Sequence, residues 1–169
     1  MDASRNRIHV SVMDRRSAEH DHVDGDRYAD LLDRTLRAEG VVPPAEVTLL
    51  WVDRDEMSEL KGTHLGIDEP TDVLSFPLDG AEGTSELGGP QLVGDVVICP
   101  AVAAAQAPQH AGQFDDEVAL LVVHGGLHLV GHDHAAPGER DRMWNREREL
   151  LTTHWGEFAR DPWGEMSAS

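Results

Sequence analysis

Only one of the 169 residues is a lysine, Lys61, and only one is a cysteine, Cys99. The missing lysines are part of a wider shortage of positive charge, with 14 basic residues against 32 acidic ones and a formal net charge of -18. A protein that grips nucleic acid through its general surface does so with clustered Lys and Arg. The charge balance is awkward for that mode, so any RNA substrate has to be held locally or presented by another partner. One cysteine excludes an internal disulfide and fits a reducing compartment; Cys99 reads as a buried strand residue. No apolar run is long enough to cross a membrane, and the first seven residues lead into the alternating segment Ile8 to Met13 with no apolar signal region. A cytoplasmic protein without membrane contact is expected. Internal repeats and low-complexity linkers are also absent, which points to a single domain over residues 1–169 with a tail that frays after about residue 160.

What the chain does have is histidine in a particular order. His124-Gly-Gly-Leu-His128-Leu-Val-Gly131-His-Asp-His134 places three imidazoles four and then six residues apart, with a glycine between the second and third. Residues 115 to 130 read as a helix, on which positions i and i+4 share a face, so His124 and His128 can grip one ion together. Gly131 stands where that helix should stop, because glycine takes the left-handed conformation at a helix C-terminus at no steric cost. The turn it makes can bring His134 back to the same ion. Three imidazoles with one open position form a hydrolytic zinc site, so His124, His128 and His134 are the expected ligands of one zinc ion per chain.

The zinc-protease pattern His-Glu-x-x-His-x-x-Gly-x-x-His matches at the His, His, Gly and His positions. It fails at the glutamate that acts there as general base, whose place is taken by Gly125. The expectation is zincin-like metal binding with different chemistry. Asp133 has two readings, a second acceptor that orients a ligand imidazole or a residue that shapes the turn. His132 reads as an exposed neighbour.

Elsewhere the pattern gives a strand at Ile8 to Met13 and a helix carrying Tyr28, Leu31, Leu32, Thr35 and Leu36 that ends at Gly40. A strand follows at Val47 to Val52 and a short helix between Asp53 and Gly62. Prolines bound the apolar centre of Pro70-Thr-Asp-Val-Leu-Ser-Phe-Pro77 and mark an edge strand, which either lines a cleft or is a plain edge whose Thr71 and Asp72 make turn hydrogen bonds. Leu92 to Cys99 is a fourth strand, and Pro137-Gly-Glu opens a last helix with a partly apolar stripe at Met143, Arg146/Glu147 and Leu150/Leu151. In that helix Arg140, Arg142, Arg146 and Arg148 alternate with Glu139, Asp141, Glu147 and Glu149, which reads as a solvated face of opposite charges. The run His20 to Asp24 reads as a solvated loop.

Two separated blocks, Pro70-Thr-Asp-Val-Leu-Ser-Phe-Pro77 and His124-Gly-x-Leu-His128-Leu-x-Gly131-x-Asp-His134, with Leu92-Val-Gly-Asp-Val-Val-Ile-Cys between them, closely resemble the YbeY family of bacterial metal-dependent endoribonucleases. The resemblance runs from about Val47 to Leu151. It implies an α+β domain with a small, mixed, roughly four-stranded sheet and several helices, and one zinc on the three motif histidines. The activity it implies is single-strand endoribonuclease action in ribosomal RNA maturation, chiefly at the 3′ end of the small-subunit RNA, and in ribosome quality control. The implied partners are ribosomal RNA, the small ribosomal subunit with one of its proteins, and an Era-type GTPase. Many members carry Tyr-Arg before the Pro-Thr-Asp-Val block, with the arginine placed to stabilise phosphate; here those positions are His64 and Leu65. His132 also departs, since the family often has tyrosine there.

With Gly125 and Leu65 in those places, the proton acceptor is open among the substrate's 2′-hydroxyl, Asp72, Asp133 and a second water. Two other functions stay in view. One is a zincin-type zinc peptidase, which the missing glutamate disfavours. The other is a non-catalytic zinc-binding ribosome-maturation factor, which the acidic surface would suit through basic ribosomal proteins.

Overall fold

A computed structural model describes residues 8–17, 22–63, 73–78, 89–132 and 136–163. The chain runs β1 (Ile8–Asp14), α1 (Gly25–Ala38), β2 (Ala45–Trp51), α2 (Arg54–Thr63), β3 (Val73–Pro77), β4 (Gln91–Ile98), α3 (Pro100–Gln106), a 3-10 turn over 107–109, α4 (Phe114–Leu129) and α5 (Pro137–His154). The four strands form one mixed sheet in the order β1-β2-β4-β3. β1, β2 and β4 are parallel, and β3 lies antiparallel on β4 as an edge strand. This is the α+β architecture the sequence implies, with β3 at the edge as its prolines require.

Alternation along the strands separates two cores. Val47, Leu49 and Trp51 of β2 enter the larger core beneath α1, α4 and α5, whereas Leu50 and Val52 join a smaller cluster with Met57, Leu74, Val97 and Cys99 under α2. On β4 the parity slips, because Val93 and Val96 both face the larger core. Glu46 and Val47 pair with Leu92 and Gly94, so Val93 is an extra residue in β4, and such a bulge moves the following side chains to the other face. Gly94 takes φ +148° there, and a Cβ on it would stand 2.5 Å from the Phe76 carbonyl oxygen.

α4 lies at the centre. It is apolar nearly all round and is buried against the sheet, α1, α3 and α5, as a helix without a polar face must be. Asp115, Asp116 and Glu117 occupy its first turn, where carboxylates meet the positive end of the helix dipole. Among the described residues no helix is long and apolar enough to cross a membrane.

The segment after α5 is docked as far as it is described. Trp163 is buried, stacks on Phe158 with centroids 5.5 Å apart and donates its indole N–H to Glu147. Residues 164–169 lie outside the described residues.

Candidate metal centre

His124 and His128 sit one turn apart near the end of α4, and their Nε2 atoms are 3.1 Å from each other with the rings crossing at 76°. Two nitrogen ligands about 2.0–2.1 Å from one tetrahedral zinc lie about 3.3 Å apart. The pair therefore has the convergence that a shared cation requires. α4 ends in a Schellman motif: Gly131 at φ +102° donates its N–H to the His128 carbonyl and His132 donates to that of Leu127. The chain thus turns back at the glycine marked from sequence. His134 and Asp133 lie outside the described residues, as do Thr71, Asp72, His64 and Leu65. Among the described residues no group of three metal-donating side chains occurs.

Behind the pair stands Glu147 of α5. Its Oε2 lies 2.7 Å from His124 Nδ1, and its Oε1 accepts the Trp163 indole N–H at 3.1 Å. Sequence reasoning placed Glu147 in a solvated charged face; it is 2% exposed. The signal was available, because Glu147 shares the apolar stripe with Met143 and Leu151, where a carboxylate needs a reason. A carboxylate on the second ring nitrogen is the usual companion of a ligating histidine, since it fixes the tautomer and the ring orientation.

A second buried carboxylate lies on α4, two turns before His124. Glu117, 1% exposed, contacts His110 Nδ1 at 2.8 and 3.0 Å and accepts the Ala111 N–H at 3.1 Å. The two histidine–carboxylate pairs share a cavity of about 170 Å³, also lined by Val73, Trp144 and Trp163. His132 is half-buried, not exposed: its Nε2 bonds to Glu39 at the end of α1, and Glu39 also takes the Arg146 guanidinium at 2.6 Å. Glu39 raises the pKa of Arg146 further above its ordinary value through that bond. The other arginines of the run are on the surface, Arg140 beside Asp141 and Arg148 on Asp161, while Arg142 lines an open cavity with Gly131 and His132.

Gly125 faces the sheet. A Cβ there would come within 2.6 Å of Val96 Cγ1 and 3.2 Å of Val73 Cγ2, and its carbonyl accepts the Ser75 hydroxyl at 2.9 Å. The place of the protease glutamate is thus a close helix–sheet contact, and glycine stands there for packing.

The sequence profile described as "Endoribonuclease YbeY" matches residues 13–154. Relatives of that name include one from Thermobifida fusca, 47% identical over 76% of this chain and 84% of its own length. Another, from Beutenbergia cavernae, is 43% identical over 78% of this chain and 89% of its own. In three dimensions the chain is similar to TM1509 of Thermotoga maritima, known from a solution structure, with a TM-score of 0.54 at 22% identity over 94% of this chain and 92% of that one. At that identity the likeness concerns the fold.

Proposed function

The chain belongs to the YbeY endoribonuclease family, and from that premise we propose that it is a zinc-dependent, single-strand-specific endoribonuclease of ribosomal RNA maturation. Its substrate would be the 3′ end of the small-subunit RNA, with a further role in ribosome quality control. It would work in the cytoplasm with the small ribosomal subunit, one of its proteins and an Era-type GTPase as partners. The observation that carries the metal dependence is the 3.1 Å convergence of His124 and His128 Nε2 above a buried carboxylate.

His124, His128 and His134 would hold one zinc. When bound, zinc supplies Lewis acidity to the phosphoryl group and lowers the pKa of a water molecule. The protein's own part would be to fix the imidazoles: α4, which carries His124 and His128, is packed between the sheet, α1 and α5, and ends in the Schellman turn at Gly131. Gly125 is packed on Val96, so the position that gives a zincin its base gives none here, which weighs against the peptidase reading. The proton acceptor is therefore sought in the substrate's 2′-hydroxyl, Asp72, Asp133 or a second water.

The test is cleavage of end-labelled single-stranded RNA by wild type and by His128→Ala purified identically, with zinc content measured for both. Wild type should cleave, lose activity with chelator and regain it with zinc; the variant should retain neither zinc nor activity. Equal cleavage by both preparations would overturn the reading, and no cleavage by either would favour the non-catalytic maturation factor.

A further inference from the structure

We infer that Glu147, itself held by Trp163, is a positioning residue for the metal: it keeps the proton of His124 on Nδ1 so that Nε2 meets the cation with its lone pair. The inference rests on the zinc reading above and concerns two residues outside the three-histidine motif.

Glu147 is a carboxylate at 2% exposure whose oxygens each accept one N–H, Oε2 from His124 Nδ1 at 2.7 Å and Oε1 from Trp163 Nε1 at 3.1 Å. No arginine or lysine forms an ion pair with it among the described residues. Burying a carboxylate is unfavourable unless it is hydrogen-bonded and its charge is balanced. The two N–H donors meet the first condition. A cation on the far nitrogen of the His124 ring would meet the second, which is a reason for a charged group here rather than an amide.

The geometry also fixes direction. A carboxylate is acceptor-only, so the ring nitrogen facing it carries the hydrogen, and the other nitrogen, 3.1 Å from His128 Nε2, is left as the donor atom for a metal. Trp163 completes the arrangement. It is 7% exposed, stacks on Phe158 with an interplanar angle of 16°, and occupies the oxygen that would otherwise let the carboxylate rotate. Trp163 lies beyond residues 13–154 that match the family profile.

The experiment measures zinc affinity by competition with a chromophoric chelator for wild type, Glu147→Gln and Trp163→Phe, with thermal melting of each metal-free protein and the cobalt(II) absorption spectrum as second readouts. Loss of such an outer partner typically weakens metal binding about 10–100-fold. That range is expected for Glu147→Gln, whose amide can present an N–H to His124 Nδ1 and draw the proton to Nε2. A several-fold loss is expected for Trp163→Phe, which keeps an aromatic ring, smaller than the indole, and removes the donor. Weakened affinity, an altered cobalt spectrum and an unchanged metal-free melt support positioning. Affinity equal to wild type in Glu147→Gln would overturn it and leave Glu147 a tie between helices. Should Glu147→Gln fail to fold, Trp163→Phe decides, and unchanged affinity there overturns the proposal. Absence of stoichiometric zinc in wild type is a separate outcome, which brings down the zinc reading and this inference with it.

Discussion

Gly125 and Gly126 are neighbours on α4 with opposite tolerances. A methyl on Gly126 would meet the end of the Leu32 side chain at 2.9 Å, which can swing aside, whereas one on Gly125 would meet Val96 Cγ1 at 2.6 Å. Valine in a strand has little rotamer freedom. Gly126→Ala should therefore be near neutral, with the alanine's helix propensity of about 1 kcal/mol offsetting mild crowding. Gly125→Ala should lose about 1–3 kcal/mol through overpacking. Urea unfolding midpoints of the two variants check this, and equal stability would mean the helix can lift from the sheet at no cost. The same residue scale shows what the sequence hid. The spacing of His124 and His128 is a property of one helix and was readable. The inward position of Glu147 could be read from the stripe it shares with Met143 and Leu151, but its partners could not, because His124 and Trp163 reach it from other segments and no period in the sequence records that.

At the scale of elements, the apolar pattern marks the described strands and helices within a few residues of their observed bounds, because most bury one face and the fully buried α4 is a long apolar run between turn signals. β4 was readable as a strand but its bulge was not, since Leu92-Val-Gly-Asp-Val-Val-Ile is nearly continuous in apolar residues and carries no alternation to break. The last turn of α5 offers a test by pH. His154 has its pKa lowered by burial and then by the nearby Arg34 guanidinium. A histidine whose folded pKa is depressed binds its proton more readily in the unfolded chain. The stability tied to its neutral form is therefore present above about pH 6.5 and is lost as pH falls through the lower folded value. Denaturant melts at about pH 7.5 and pH 5.5 should show a smaller fall for His154→Gln than for wild type. An identical fall would place the pH dependence in other groups.

For the whole molecule the dominant quantity is the net charge of -18. A pair such as Arg34 with Asp30 is a solvated i,i+4 contact and contributes little, so self-repulsion among the surplus carboxylates is expected to outweigh such pairs. Salt shortens the Debye length from about 10 Å at 0.1 M to about 3 Å at 1 M. Raising sodium chloride over that range should lift Tm by roughly 2–4 °C if about 1 kcal/mol of repulsion is screened. Calorimetry decides, and a Tm that falls with salt would show that the ion pairs prevail.

The docking of Trp163 also bears on how the protein is made. Translation delivers the sheet first, then α4 with its histidines, then Glu147, and the indole that braces Glu147 only after all of these. A domain generally folds as a unit, and α4 shares its core with α5 and Trp163, so His124 is braced only once that segment has emerged and packed. If His124 and His128 hold an ion as proposed, a chain that stops short of Trp163 lacks the brace on Glu147 and should hold that ion less firmly than one that includes it.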